Sequence, residues 1–166
     1  MLRVTKLTDY ATVVLTVLAS DPDAVASAAG LAERAGLEAP TVAKVLKPLA
    51  QAGLVEAFRG ANGGYRLARA ADDISLIEVV EAMEGPLGMT ECSVHAGACG
   101  IERSCNVRAN WRRINDVVID ALRGVTLAQM LDGTTVHDTD PDAPRKRDHR
   151  VAARATRSIP ARLATS

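Results

Sequence analysis

The chain has 166 residues, 48% of them hydrophobic but only 2% aromatic, and its 20 lysines and arginines balance 20 aspartates and glutamates. That length fits one domain with its own core plus appendages, and zero formal charge argues against a uniformly basic nucleic-acid binder while leaving room for a local basic face. There is no secretory pattern at the start and no apolar run near the roughly 18 residues a spanning helix needs. The three cysteines are an odd number for a disulfide framework, so a cytoplasmic chain without membrane contact is expected.

With so few aromatic residues, a core must be built from Ala, Val, Leu and Ile, which favours close-packed helices. From Thr8 to Ser20, Ala11, Val14, Leu15 and Leu18 recur at helical spacing, with Thr8 or Asp9 as N-cap and Pro22-Asp23 closing the segment. Ser27 to Gly36 predicts a short helix with a glycine C-cap. Pro40 then fits the first turn of a third helix whose apolar stripe is Val42, Val45, Leu46 and Leu49, ending at Gly53. Thr41, Lys44 and Lys47 fall off that stripe and face outward, which makes the pair of helices a helix-turn-helix. Pro48 removes one helical hydrogen bond, and a bend is expected between Lys44 and Pro48.

Leu54–Arg59 and Gly64–Leu67 are strand-like runs around the turn G-A-N-G-G, a hairpin placed where a winged helix carries its wing. Arg59 and Arg66 flank its tip. Ser75 with Glu78 forms a capping box for a helix to Glu84, and Gly85 ends it. Asn106 to Arg123 predicts a long helix with Trp111, Ile114, Val117, Val118, Ala121 and Leu122 on one face. Either that stripe packs back on its own domain or it meets the same helix of a second chain; the twofold dimer is the simpler expectation. Thr126–Leu131 forms a last short helix. From Asp132 onward proline, aspartate and arginine dominate, an acidic half preceding a basic half from Arg145 to Arg162, and a disordered tail is expected. The fold class is thus mainly α with a small β-hairpin wing. Its expected parts are a winged helix-turn-helix domain over residues 1–84, a cysteine-rich loop over 85–105, a dimerisation helix and terminal helix over 106–131, and a tail over 132–166.

Between the fourth helix and the long helix lies GPLGMTECSVHAGACGIERSCNVRANW, with Cys92, Cys99 and Cys105 spaced C-x6-C-x5-C among small residues. Such a segment buries too little apolar surface to order itself. The spacing is too wide for the paired knuckles of structural zinc and suits a loop around a larger body such as an iron–sulfur cluster. Ordinary buried thiols are the alternative, although these three share no amphipathic stripe. No phosphate loop, Ser/His/Asp set or paired catalytic carboxylates stand out, so no enzyme activity is expected.

Taken in order, MLRVTKLTDYA, the wing sequence AGLVEAFRGANGGYRLAR and the spaced cysteines followed by NVRANWRRIN resemble the Rrf-two family of bacterial transcription regulators, of the IscR- and NsrR-like kind, over about residues 1–131. The wording CSVH and CGIE is most similar to the branch that regulates SUF iron–sulfur cluster assembly. The resemblance implies a homodimer on a pseudo-palindromic double-stranded DNA operator. Thr41 and Lys44 would read bases, Lys47 would meet phosphate, and Arg59 with the tip Asn62-Gly63-Gly64 would reach the minor groove or backbone. It also implies an iron–sulfur cluster, 2Fe–2S ahead of 4Fe–4S, held by Cys92, Cys99 and Cys105. Where IscR-like members carry a histidine ligand this chain has Arg108, which offers no lone pair, so the fourth ligand falls to Asp9, with His95 as alternative. The implied function is a cluster-sensing repressor of iron–sulfur cluster assembly genes; the alternative is a cluster-free regulator that responds through its thiols or through zinc.

Overall fold

The computed structural model describes residues 4–60, 62–95, 97, 99–101 and 104–132; the expected tail, beyond Asp132, lies outside these. Helix α1 (Lys6–Ala19) begins after Thr5, whose hydroxyl oxygen accepts the Thr8 N–H at 3.3 Å. The cap is therefore three residues ahead of Thr8 and four ahead of Asp9, the two expected positions. Thr8 is buried inside the helix, and its hydroxyl donates to a Glu84 carboxylate oxygen that also accepts the Thr5 N–H at 2.9 Å. Ala11, Val14 and Leu15 are fully buried, because α1 is packed on by the helices described next and by the second strand.

Helix α2 (Ala28–Ala35) is capped by the Ser27 hydroxyl and stops at Gly36, whose φ of 64° is a left-handed conformation that glycine adopts without penalty. Helix α3 (Ala39–Gln51) carries Pro40 in its first turn and runs on through Pro48, so the second helix of the helix-turn-helix reaches Gln51. The predicted stripe of Val42, Val45, Leu46 and Leu49 is fully buried. Strands β1 (Val55–Phe58) and β2 (Gly64–Leu67) pair antiparallel, with Val55 opposite Leu67 and Phe58 opposite Gly64. Ala26, in the connection between α1 and α2, adds a third rung: its N–H donates to Tyr65 at 2.9 Å and its carbonyl accepts from Tyr65 at 2.8 Å. The wing is thus seated on the helical core rather than attached by its ends alone.

After a single 3-10 turn at Ala71–Asp73, helix α4 (Leu76–Glu84) begins at the foreseen capping box. The Glu78 carboxylate accepts both the N–H and the hydroxyl of Ser75 and pairs with Arg69 at 2.7 Å. A four-residue helix, α5 (Glu91–Val94), lies in the cysteine segment. Helix α6 (Arg108–Arg123) follows, two residues shorter than expected at its start, and α7 (Leu127–Leu131) closes the described chain. The largest fully buried side chains are leucines, an isoleucine and valines, the aliphatic core that the composition requires. The architecture is a winged helix-turn-helix, mainly α with one two-stranded hairpin, extended by a long helix.

That extension is attached at its far end by main-chain bonds. The Leu76 N–H donates to Val125 and the Leu127 N–H to Ile74, each at 2.8 Å, with Ser75 and Thr126 bridged as in an antiparallel pair. Along α6 itself only Asn115 is buried. Trp111, Ile114 and Val117 are 38%, 44% and 64% exposed, and Ala121 is exposed too, so much of the predicted stripe does not pack back on its own domain.

Two tests follow from these contacts. A Cβ on Gly64 would lie 2.5 Å from the Ala26 carbonyl oxygen, and backbone cannot swing away as a side chain does. Gly64→Ala is expected to cost about 1–3 kcal/mol, read as a lower thermal midpoint. The Thr8 hydroxyl and then the Thr5 N–H hold the Glu84 carboxyl below its ordinary value. A carboxyl lowered in the folded state stabilises above its unfolded pKa and loses that contribution as pH falls from about 4.5. Glu84→Gln is therefore expected to flatten the acid-side loss of stability, measured as thermal midpoint against pH from neutrality downward.

Candidate nucleic-acid interface and cysteine loop

The outward face of α3 carries Lys44 and Lys47, both exposed, with Thr41 half-buried at the helix start. Its opposite face is the fully buried stripe, so the packing behind it holds this face of the helix outward. In the wing, Arg59 and Asn62 are exposed and Gly63 is half-buried. The tip is tight: the Gly63 N–H donates to Gly60 at 3.0 Å, and a Cβ on Gly63 would lie 2.5 Å from the Phe58 carbonyl oxygen. Gly64 differs from its neighbours, being buried under Val25 and Ala26, so its visible task is seating the wing. Arg66, the other arginine flanking the turn, reaches Glu56 at 3.1 Å and stacks its guanidinium 5.1 Å from the Phe58 ring centre, which engages it within the hairpin.

The cysteine segment begins where Gly85, with φ of 83°, turns the chain out of α4. At Gly88 the backbone passes so close to α5 that a Cβ would lie 1.9 Å from a Val94 methyl. Thr90 precedes α5, and its hydroxyl lies 3.3 Å from Cys92 Sγ and 2.8 Å from Ser93 Oγ. Cys92 is buried at 8% exposure, Cys99 and Cys105 are half-buried, and all three are free thiols. His95 is exposed one residue past α5. Asp9 is exposed on α1, on the wall of a cleft of about 610 Å³ shared with Lys6, Leu76, Val80, Leu122 and Met130.

Among the described residues no three His, Cys, Asp or Glu side chains converge as a metal site, so the loop's thiols, His95 and Asp9 are not brought together within one chain. The donor chemistry nonetheless suits iron and sulfide: three soft thiols on a small-residue segment, tied at its start to folded elements. Arg108 stands half-buried as the first residue of α6.

Among the contacts that the sequence reading does not foreshadow, two bear on the cysteine loop and its neighbours. One is the link from Glu84 to Thr5 and Thr8. The other is a hydrogen bond from the Met89 N–H to the Asn115 side-chain oxygen at 3.0 Å, which fastens the start of the loop to α6. A signal for the second was present: Asn115 lies four residues after Trp111 and three before Val118, a polar residue on an apolar stripe.

Residues 4–133 match the Rrf2 family, described as iron-dependent transcriptional regulator. Protein aau3 of Rhizobium meliloti is 35% identical over 132 residues, which span 78% of this chain and 85% of that one. Among solved structures, CymR, the global cysteine regulator of B. subtilis, superposes with a TM-score of 0.63 at 27% identity, covering 81% of this chain and all of that one. IscR of T. potens superposes with a TM-score of 0.58 at 29% identity, covering 81% and 89%. Helix-turn-helix, seated wing, cysteine loop and long helix therefore have one common explanation: the chain belongs to the Rrf2 family of transcriptional regulators.

Proposed function

We propose that this chain is a DNA-binding regulator that senses iron–sulfur status, acting in the cytoplasm as a homodimeric repressor of iron–sulfur cluster assembly genes on a pseudo-palindromic operator. The observation that carries the reading is the position of the thiols. Cys92, Cys99 and Cys105 lie on a segment strung between α4 and α6, and α6 leaves Trp111, Ile114 and Val117 uncovered. A second α6 would cover that stripe, since a twofold contact buries one patch against itself. The two α3 helices would then be held at a fixed spacing for successive major grooves. Thr41 and Lys44 would read bases, Lys47 would meet phosphate, and Arg59 with the Asn62-Gly63 tip would reach the backbone or minor groove.

The three cysteines would hold a 2Fe–2S cluster, with Asp9 of the partner chain as fourth ligand and His95 as the alternative. When bound, such a cluster supplies a redox- and oxygen-sensitive bond network. The chain's own part is mechanical. Loop residues that change their arrangement shift the load on α4 and α6, and operator affinity follows the free-energy difference between the two arrangements.

A second reading is favoured by a specific observation. The three thiols do not converge in the described structure, and Cys92 is buried while the other two are partly open. A cluster-free thiol switch needs only that inequality, because the more open thiols would react first. The likeness to CymR points the same way.

Protein purified without oxygen decides between them. The cluster reading expects visible charge-transfer absorption, with iron and sulfide near stoichiometric and lost in Cys99→Ser. It also expects altered affinity for a duplex selected from random sequence when the cluster is removed. Colourless, iron-free protein whose duplex binding responds to thiol oxidants would replace it with the thiol reading. For the dimer, Val117→Asp is expected to shift the chain to a monomer in sedimentation and to weaken duplex binding at least tenfold. An unchanged dimer would place the interface elsewhere.

A further inference from the structure

Helix α6 has 16 residues and buries one of them, and that one is a carboxamide. Asn115 is 4% exposed. An amide taken out of water is unfavourable unless it is hydrogen-bonded. Its oxygen accepts the Met89 N–H at 3.0 Å, across 26 residues of sequence. A leucine at this place would continue the stripe of Trp111, Val118 and Leu122. Packing alone therefore does not call for an asparagine.

Met89 is well placed to matter. It is followed by Thr90, whose hydroxyl lies 3.3 Å from the sulfur of Cys92. It is preceded by Gly88, where a Cβ would meet a Val94 methyl at 1.9 Å and force Val94 to move. Residues 88–94 therefore fold on themselves as one small block carrying Cys92, and the Asn115 bond ties that block to α6.

We propose that Asn115 is a positioning residue that sets the place and exposure of Cys92 and transmits the state of the cysteine loop to α6. The inference rests on the regulatory reading above for its second half only; the first half concerns the metal-free chain. Loss of the acceptor frees the Met89 amide and releases the block from α6, so Cys92 becomes accessible while Cys99 and Cys105, further along the loop, do not change.

The test uses the full chain, reduced and freed of metal, as wild type, Asn115→Leu and Asn115→Asp. Iodoacetamide labelling of each cysteine is followed by mass spectrometry. Cys92 is expected to react roughly tenfold faster in Asn115→Leu, a factor in keeping with one lost part-buried hydrogen bond. Cys99 and Cys105 should stay within twofold, and Asn115→Asp, which keeps an acceptor oxygen, should restore slow labelling of Cys92. An unchanged Cys92 rate in Asn115→Leu, or equal acceleration of all three thiols, overturns the proposal. Hydrogen exchange in the wild type gives an answer even if the leucine variant does not fold: the Met89 amide should exchange slowly, and exchange at the rate of an open loop overturns it.

Binding to the selected duplex separates this inference from the regulatory reading. If oxidising or blocking the thiols changes wild-type affinity, the change should shrink towards none in Asn115→Leu, and an undiminished change overturns the transmission. If the wild type responds neither to this nor to removal of a cluster, the regulatory reading falls with the transmission, and the labelling ratios decide the positioning of Cys92 by themselves.

Discussion

The burial of α1 is the constraint on which the rest of this structure depends. Its Ala11, Val14 and Leu15 have no exposed surface because α2, α3, α4, α7 and β2 all pack on the same helix. Small and aliphatic side chains make this crowding feasible, since helix axes approach closely only where side chains are short. The outward face of α3 and the seating of the wing are both consequences. Each is held from behind by a core to which neither contributes its polar residues.

The second level of organisation is polar. Where the apolar core ends, single hydrogen bonds take over: Thr8 to Glu84 at the last residue of α4, Met89 to Asn115 at the start of the loop, and Leu76 to Val125 with Leu127 to Ile74 just past the end of α6. Such bonds contribute little net stability each, but they are costly to leave unmade. They specify geometry more than they add free energy. That division leaves the stability of the domain to its apolar core.

The helices of the winged unit were legible because their periodicity is local. The stripe on α3, the glycine stop of α2 and the Ser75–Glu78 capping box need only neighbouring residues to be recognised. The contacts that were missed join Ala26 to Tyr65, Ile74 to Leu127 and Met89 to Asn115, pairs far apart in sequence with no shared pattern. The cap of α1 moved to Thr5 for a related reason: Thr8 was claimed by Glu84, a partner 76 residues away. At the candidate site the thiols and exposed lysines could be read from residue type and spacing. The unequal burial of the cysteines could not, because it depends on Thr90 beside Cys92 and on the packing of α5 against α6.

The rungs between Ile74–Leu76 and Val125–Leu127 turn the intervening stretch into a closed circuit, with α4, the thiol segment and α6 in series around it. A ring closed at one point keeps its two ends together. Whatever the span of the thiol segment, the far ends of the two helices stay fastened to each other through these main-chain bonds. In that circuit the bond from Met89 to Asn115 is the cross-tie between the thiol segment and α6.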